Sequence, residues 1–358
     1  MRGMNLSQLI SGARPRTLAL GVAPVWIGAA SAWGVARGRA HGLPACAWIA
    51  GGADCAPSTT RMITLMLLSL GVAVFLQIAA NFANDYSDGI RGTDAHRVDI
   101  AVANRVEYVT CATESGEVER EETLDYEELH APTRLVASGV PPRAVLTAAV
   151  VSAALACACG VAAVVITGYW WLLAMGVVCV LAGWFYVGGA HPYGYRGWGE
   201  IAAFVFFGPV AALGTMATMV GTLTWPAVCG SVLVGLVALA VLSVNNLRDI
   251  RTDAQSGKRT WAVRLGARAT TVCVIVVIAI VMLAVLAAGV FVGVHGGELA
   301  HLTVGWGFCA VLGMVCMLLT GYFTCFEVAH GEYMRAMWSL SLLALWLALA
   351  FTGFVLAL

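Results

Sequence analysis

Long apolar stretches alternate along the chain with short polar breaks, and the charged residues gather almost entirely in those breaks. Taking about 20 apolar residues for one bilayer crossing, this pattern predicts nine membrane-spanning helices, over 17–36, 62–83, 143–166, 169–188, 201–220, 225–246, 270–293, 303–323 and 336–357. The first run follows Arg14 and Arg16, exceeds the length of a signal-peptide core and has no clear small-residue cleavage site, so it reads as a retained helix.

Composition excludes the alternatives to a membrane protein. Of the 358 residues, 60% are hydrophobic and only 11% charged, with a mean hydropathy of +0.84, whereas a soluble domain carries about 25% charge. The formal net charge is zero, so nothing suggests a nucleic-acid partner. The 11 cysteines lie mostly in apolar stretches, where Cys acts as a small hydrophobe. Cys46 and Cys55, in the loop 37–61, are the candidates for a disulfide. Charge asymmetry sets an orientation: with the N-terminus in the cytoplasm, 17 of the 20 basic residues fall on that side, and only Arg37, Arg39 and Arg61 lie outside. The C-terminus is then external.

Carboxylates are costly at mid-bilayer, so their placement is informative. Ten of the 20 acids fall in 99–130, an acidic stretch that reads as a solvated insertion in a cytoplasmic loop. Five are scattered: Asp54, Glu200, Glu298, Glu327 and Glu332. His295, Glu298 and His301 form an external spacing that reads as an ordinary polar loop. The remaining five form two clusters at the cytoplasmic ends of the second and sixth helices, NFANDYSDGIRGTD at 81–94 and NNLRDIRTDAQSGKR at 245–259.

Aligning NDYSD with NNLRD pairs Asn84 with Asn245 and Asp88 with Asp249, which suggests two related halves. Residues four apart share a helix face, so Asn84 and Asp88 point one way, as do Asn245, Asp249 and Asp253. Facing stripes of carboxylate and amide oxygen need cations between them, and hard oxygen ligands beside a phosphate suit magnesium. Arg91, Arg248, Lys258 and Arg259 are interleaved with the acids and suited to phosphate oxygens. The pattern therefore predicts a diphosphate site at the cytoplasmic membrane face.

These residues resemble the UbiA-type intramembrane prenyltransferases, which carry two aspartate-rich motifs on the second and sixth of about nine helices. The branch most similar is that of the 1,4-dihydroxy-2-naphthoate polyprenyltransferases. The matching segments are RPRTL (14–18), LQIAANFANDYSDGIRGTD (76–94), RLVASG (134–139), HPYGYRGWGEIAAFVFFGPVAALGT (191–215) and NNLRDIRTDAQSGKRTWAVRLG (245–266). The resemblance implies one all-α domain with a UbiA-like fold, its two halves surrounding a central cavity. It implies transfer of a polyprenyl group from polyprenyl diphosphate to 1,4-dihydroxy-2-naphthoate, with loss of diphosphate and CO2, toward demethylmenaquinone in a bacterial cytoplasmic membrane.

The resemblance places magnesium on Asn84, Asp85 and Asp88 and on Asn245, Asp249 and Asp253, with Asp94 following the first motif. A common form of that motif has its last Asp eight residues after the Asn; here Gly92 holds the position. Asn81 belongs to the same substrate-binding segment. Aromatic residues near the motif ends, Tyr86, Tyr193, Tyr195 and Trp198, are candidate walls for an allylic cation, and Asp85 or Tyr193 for the base that takes the acceptor's hydroxyl proton. Arg14, Arg16, Arg134 and Arg196 are candidates for the acceptor's carboxylate. Three rival functions stand beside this one: prenyl transfer to another aromatic acceptor, a secondary transporter using intramembrane acids, and a phosphatidyl-type alcohol transferase, another membrane magnesium enzyme, into whose motif DGIRGTD does not extend. PYGY and NNLRD argue against the first. The position of the acids at helix ends beside Arg and Lys argues against the second.

Overall fold

The computed structural model describes residues 4–38, 57–92, 134–295 and 304–357, which contain helix and no strand. Asp94, the insertion at 99–130, Cys46, Cys55, Glu298 and His301 lie outside the described residues. A short α1 (Leu6–Ala13) starts at a reciprocal capping box between Asn5 and Gln8. Helices α2 (Ala19–Ala36), α3 (Thr59–Arg91), α4 (Pro142–Thr167), α5 (Trp171–Val187), α6 (Gly199–Val220) and α7 (Trp225–Arg248) follow. Two short helices, α8 (Ile250–Gln255) and α9 (Trp261–Leu265), precede α10 (Ala267–His295), α11 (Val304–Ala329) and α12 (Tyr333–Ala357). Among the described residues, eight helices are long and apolar enough to cross a membrane, and α5 is a shorter apolar one. These nine match the nine expected runs one for one. The chain is a multi-pass membrane protein.

The largest departure in boundaries is functional. α3 continues to Arg91, well past the expected end at 83, because NFANDYSDGIR is polar but contains no proline, and its single interior glycine, Gly89, weakens a helix without ending it. Gly92, with φ of 71°, ends the helix in the left-handed conformation. At 1.5 Å per residue its 33 residues span about 50 Å, against a hydrocarbon core of about 30 Å. The acid-bearing turns thus form the end of a rigid rod.

Three helices make the centre. In α2, α7 and α12, 61–67% of the spanning residues are buried, against 22–33% in the other long spans. Ile27, Val234, Leu340, Leu343 and Leu347 belong to one continuous core, and α2 packs on α12, α6, α3 and α7. Near its start α6 widens into a π turn over Phe206–Val210, which contains Pro209. Such widenings relieve the hydrogen bond that proline cannot make and recur at functional sites.

Candidate active site

A cavity of about 440 Å³ is lined by α2 through α7 and their adjoining turns, with Met337 of α12. Along α3 the lining runs from Asp88 to Ser69, about 28 Å at the helical rise. Its acidic side chains gather at one end with two asparagines and a lysine: Asn84 and Asp88 from α3, Asn245, Asp249 and Asp253 from the end of α7 and α8, and Lys258 beyond them. The rest of the wall is mostly apolar, including Leu76, Leu172, Met175 and the π-turn residues Phe206 and Phe207. The two acid-rich segments therefore do meet, on the faces that their four-residue spacing requires.

Asp88, Asp249 and Asp253 are between 3% and 6% exposed, and cations hold them in place. Lys258 Nζ lies 3.3 Å from both Asp88 oxygens and 3.6 Å from Asp253 Oδ1. Burial works against the Lys258 ammonium, but Asp88, Asp253 and Asp249 outweigh it and hold its pKa above the ordinary lysine value. Tyr195 donates its hydroxyl to Asp88 Oδ1, and its ring lies 4.7 Å from Lys258 Nζ and 5.4 Å from the Arg91 guanidinium carbon. Lys258 thus joins the acids of the first motif to those of the second.

Could these residues hold a divalent cation? Among the described residues, no three His, Cys, Asp or Glu side chains stand close enough to form a metal cage. The donors are instead carboxylates and amides on facing helix ends. That set fits a hydrated magnesium ion, which takes one or two carboxylates and completes its shell with water and substrate phosphate.

Several expected residues do other work. Asp85 is one residue from Asn84 and hence about 100° around the helix; it is absent from the cavity lining. Its carboxylate Oδ1 accepts from Arg14 Nη2 and, at 3.0 Å, from Arg134 Nη1, so it is neither an evident metal ligand nor an available base. Arg248 clasps Asp249 at 2.8 and 2.9 Å and donates to Asn245 Oδ1 at 2.9 Å, bracing the second motif from behind. Arg91 donates to the Gly189 carbonyl at 2.7 Å and is exposed. Arg196 is exposed and outside the lining, while Arg16 approaches Met334. Tyr193 lines the cavity, but its hydroxyl donates to the Ala182 carbonyl at 2.8 Å and burial pushes its pKa up to about 12, so it is a wall and not a base. Tyr86 packs against the Phe82 cluster, and Trp198 is exposed.

Local geometry builds the opposite wall. Asn81 donates to the Ala13 carbonyl at 3.0 Å, tying the end of α1 to α3. Arg14 follows with φ of 51°, the one positive φ outside glycine among the described residues, a backbone state costing about 1 kcal/mol or more. The turn carrying Arg134 packs on α3 at Gly89, where a Cβ would lie 2.3 Å from Val136 Cβ. Gly89→Ala is therefore expected to destabilise the protein by about 1–3 kcal/mol, and a fall in melting temperature in detergent checks it; an unchanged value would remove this packing role.

Three lining or bracing residues escaped the sequence reading. Tyr186, inside the apolar run of α5, faces the cavity and meets Tyr193 edge-on at 5.5 Å. Gln77, within LQIAAN, lines it too and donates to the Thr17 carbonyl. Glu200 is fully buried; its Oε1 accepts from Asn246 Nδ2 at 2.8 Å and from the Trp261 backbone N–H at 3.1 Å. A lone acid opening an apolar helix was the available signal for Glu200.

The sequence model of the UbiA prenyltransferase family matches residues 42–321, which include both acid-rich segments. The chain is 41% identical over 264 residues to the 1,4-dihydroxy-2-naphthoate octaprenyltransferase of Mycobacterium tuberculosis, covering 73% of this chain and 71% of that one. It is 30% identical over 259 residues to the Escherichia coli protein of the same name, covering 71% and 67%. Among solved structures, the apo form of a UbiA homolog from Aeropyrum pernix K1 superposes with a TM-score of 0.56 over 93% of this chain and 96% of that one, at 14% identity, a likeness of fold. With its two acid-bearing helix ends meeting over one apolar cavity, this chain belongs to the UbiA prenyltransferase family.

Proposed function

We propose that the protein transfers a polyprenyl group from polyprenyl diphosphate to 1,4-dihydroxy-2-naphthoate, releasing diphosphate and CO2 and forming the quinol of demethylmenaquinone. The observation that carries this reading is the division of one cavity into an acidic, Lys258-bearing end and a long apolar remainder, which suits a substrate with a charged head and a hydrocarbon tail. Identity to relatives named for this reaction supports the acceptor.

In this reading the C–O bond to diphosphate breaks, and a carbon–carbon bond forms between the allylic terminus and the acceptor ring. Asn84, Asp88, Asn245, Asp249 and Asp253 are the residues that would hold magnesium, which when bound would neutralise charge on the leaving diphosphate. Lys258 adds a fixed positive charge at the same end, where little water competes with it. Tyr195 orients Asp88 through its hydroxyl, and Arg248 orients Asp249 and Asn245. The rings of Tyr186 and Tyr193 form a wall that is neither nucleophilic nor charged for the allylic cation. The apolar remainder takes the prenyl chain.

We place the protein in a bacterial cytoplasmic membrane with its N-terminus and acidic cavity end toward the cytoplasm, on the distribution of basic residues. Purified protein in lipid, supplied with polyprenyl diphosphate and 1,4-dihydroxy-2-naphthoate, is expected to give prenylated product by mass that disappears with chelator and returns with magnesium. Product with 4-hydroxybenzoate alone would overturn the acceptor; magnesium-independent product would overturn the metal assignment.

A further inference from the structure

The carboxylate of Asp85 sits in the first acidic motif, yet it turns out of the cavity, while the two arginines it binds both line that cavity. Arg14 and Arg134 come from segments 71 and 49 positions away and meet on the same oxygen, Asp85 Oδ1, with the Arg134 contact at 3.0 Å. Two guanidiniums repel one another unless an anion lies between them, and Asp85, 3% exposed, supplies that anion from the protein side. The chain holds Arg14 there despite its left-handed backbone, a strain that persists only where the surroundings over-determine it. α3 does so twice, fixing the guanidinium through Asp85 and the preceding peptide through Asn81.

We propose that Asp85 is a positioning residue that aligns Arg14 and Arg134 as a clamp for the carboxylate of the aromatic acceptor. This rests on the function proposed above. The cavity has two cationic walls: Lys258 lies between Asp88 and Asp253, among the donors suited to a metal and a diphosphate, whereas the arginines are anchored on a different carboxylate. A reaction with two anionic substrates needs two such places. The planar guanidinium fork matches a carboxylate in geometry as well as charge, and the acceptor is a planar molecule bearing one carboxylate.

The test compares wild type with Asp85→Asn on two acceptors, 1,4-dihydroxy-2-naphthoate and 1,4-dihydroxynaphthalene. The second lacks the carboxylate and would give the same quinol with loss of a ring proton in place of CO2. Asp85→Asn is expected to raise KM for the naphthoate about tenfold while leaving KM for polyprenyl diphosphate within about twofold, since only the carboxylate contact is misaligned. The preference of wild type for the carboxylated acceptor should fall by about the same factor, and the magnesium concentration for half-maximal rate should not move. A raised magnesium requirement, or a rise in both KM values, would make Asp85 part of the diphosphate site and overturn the proposal. So would an unchanged preference between the acceptors. Should Asp85→Asn fail to accumulate in the membrane, Arg14→Gln and Arg134→Gln must each lose the same preference, and retention of it in either overturns the clamp. Wild type that prenylates neither acceptor would count against the proposed function itself, not against the role of Asp85 within it.

Discussion

Asp88→Ala and Asp249→Ala are each expected to lower turnover by about a thousandfold, the loss typical when a fixed group that stabilises developing negative charge is removed from a closed site. In the first variant, Lys258 loses its nearer carboxylate and Tyr195 the acceptor for its hydroxyl. In the second, Arg248 is left buried without its bidentate partner. Both aspartates lie at helix ends, beyond the apolar core that drives insertion. The amount of protein in the membrane should therefore stay near wild type, which immunoblotting of washed membranes would show. Turnover per molecule above a tenth of wild type in both variants would dismiss the two-motif site.

Glu200→Ala is expected to be nearly as damaging for a different reason. Glu200 Oε1 is the common acceptor for Asn246, beside Asn245 on α7, and for the backbone at Trp261, three residues beyond Lys258. The same junction is stitched by Arg259 N–H to the Tyr195 carbonyl at 2.8 Å and by Trp261 Nε1 to the Gly197 carbonyl at 2.9 Å. Alanine would leave two buried donors unpaired, at about 1–3 kcal/mol each, and free the segment that delivers Lys258. Glutamine retains an amide oxygen for both donors, so Glu200→Gln should keep most of the turnover and of the thermal stability. Equal loss in the two variants would show that the charge matters, not the acceptor oxygen. Thermal melting and turnover measured on the same preparations separate the outcomes.

The nine spans were legible because membrane helices announce themselves by continuous apolarity, and their ends came within a few residues except where a helix outran its apolar stretch. α3 did this: its last two turns are held by helical hydrogen bonding, to which a hydropathy count is blind. Helical spacing correctly grouped Asn84 with Asp88, and Asn245 with Asp249 and Asp253. The same spacing already implied that Asp85 faces elsewhere, but adjacency in a motif obscured it. What Asp85 faces could not be read, since Arg14 and Arg134 reach it only through the packing of α1 and the 134–140 turn on α3. Nor could the roles of Arg248 and Lys258 be separated beforehand. Both are cations beside acids, and only the end of α7 at Arg248 sends one behind the motif and the other across the cavity.

The length of the cavity along α3 bears on how this protein encounters its substrates. A binding space that begins among carboxylates and continues for about the thickness of a hydrocarbon core receives one reactant from water and the other from the lipid phase. For the lipid-borne reactant, the effective concentration is its number per unit area of membrane. Adding inert phospholipid at constant total amounts would dilute that reactant and slow the reaction, although nothing in the aqueous phase had changed.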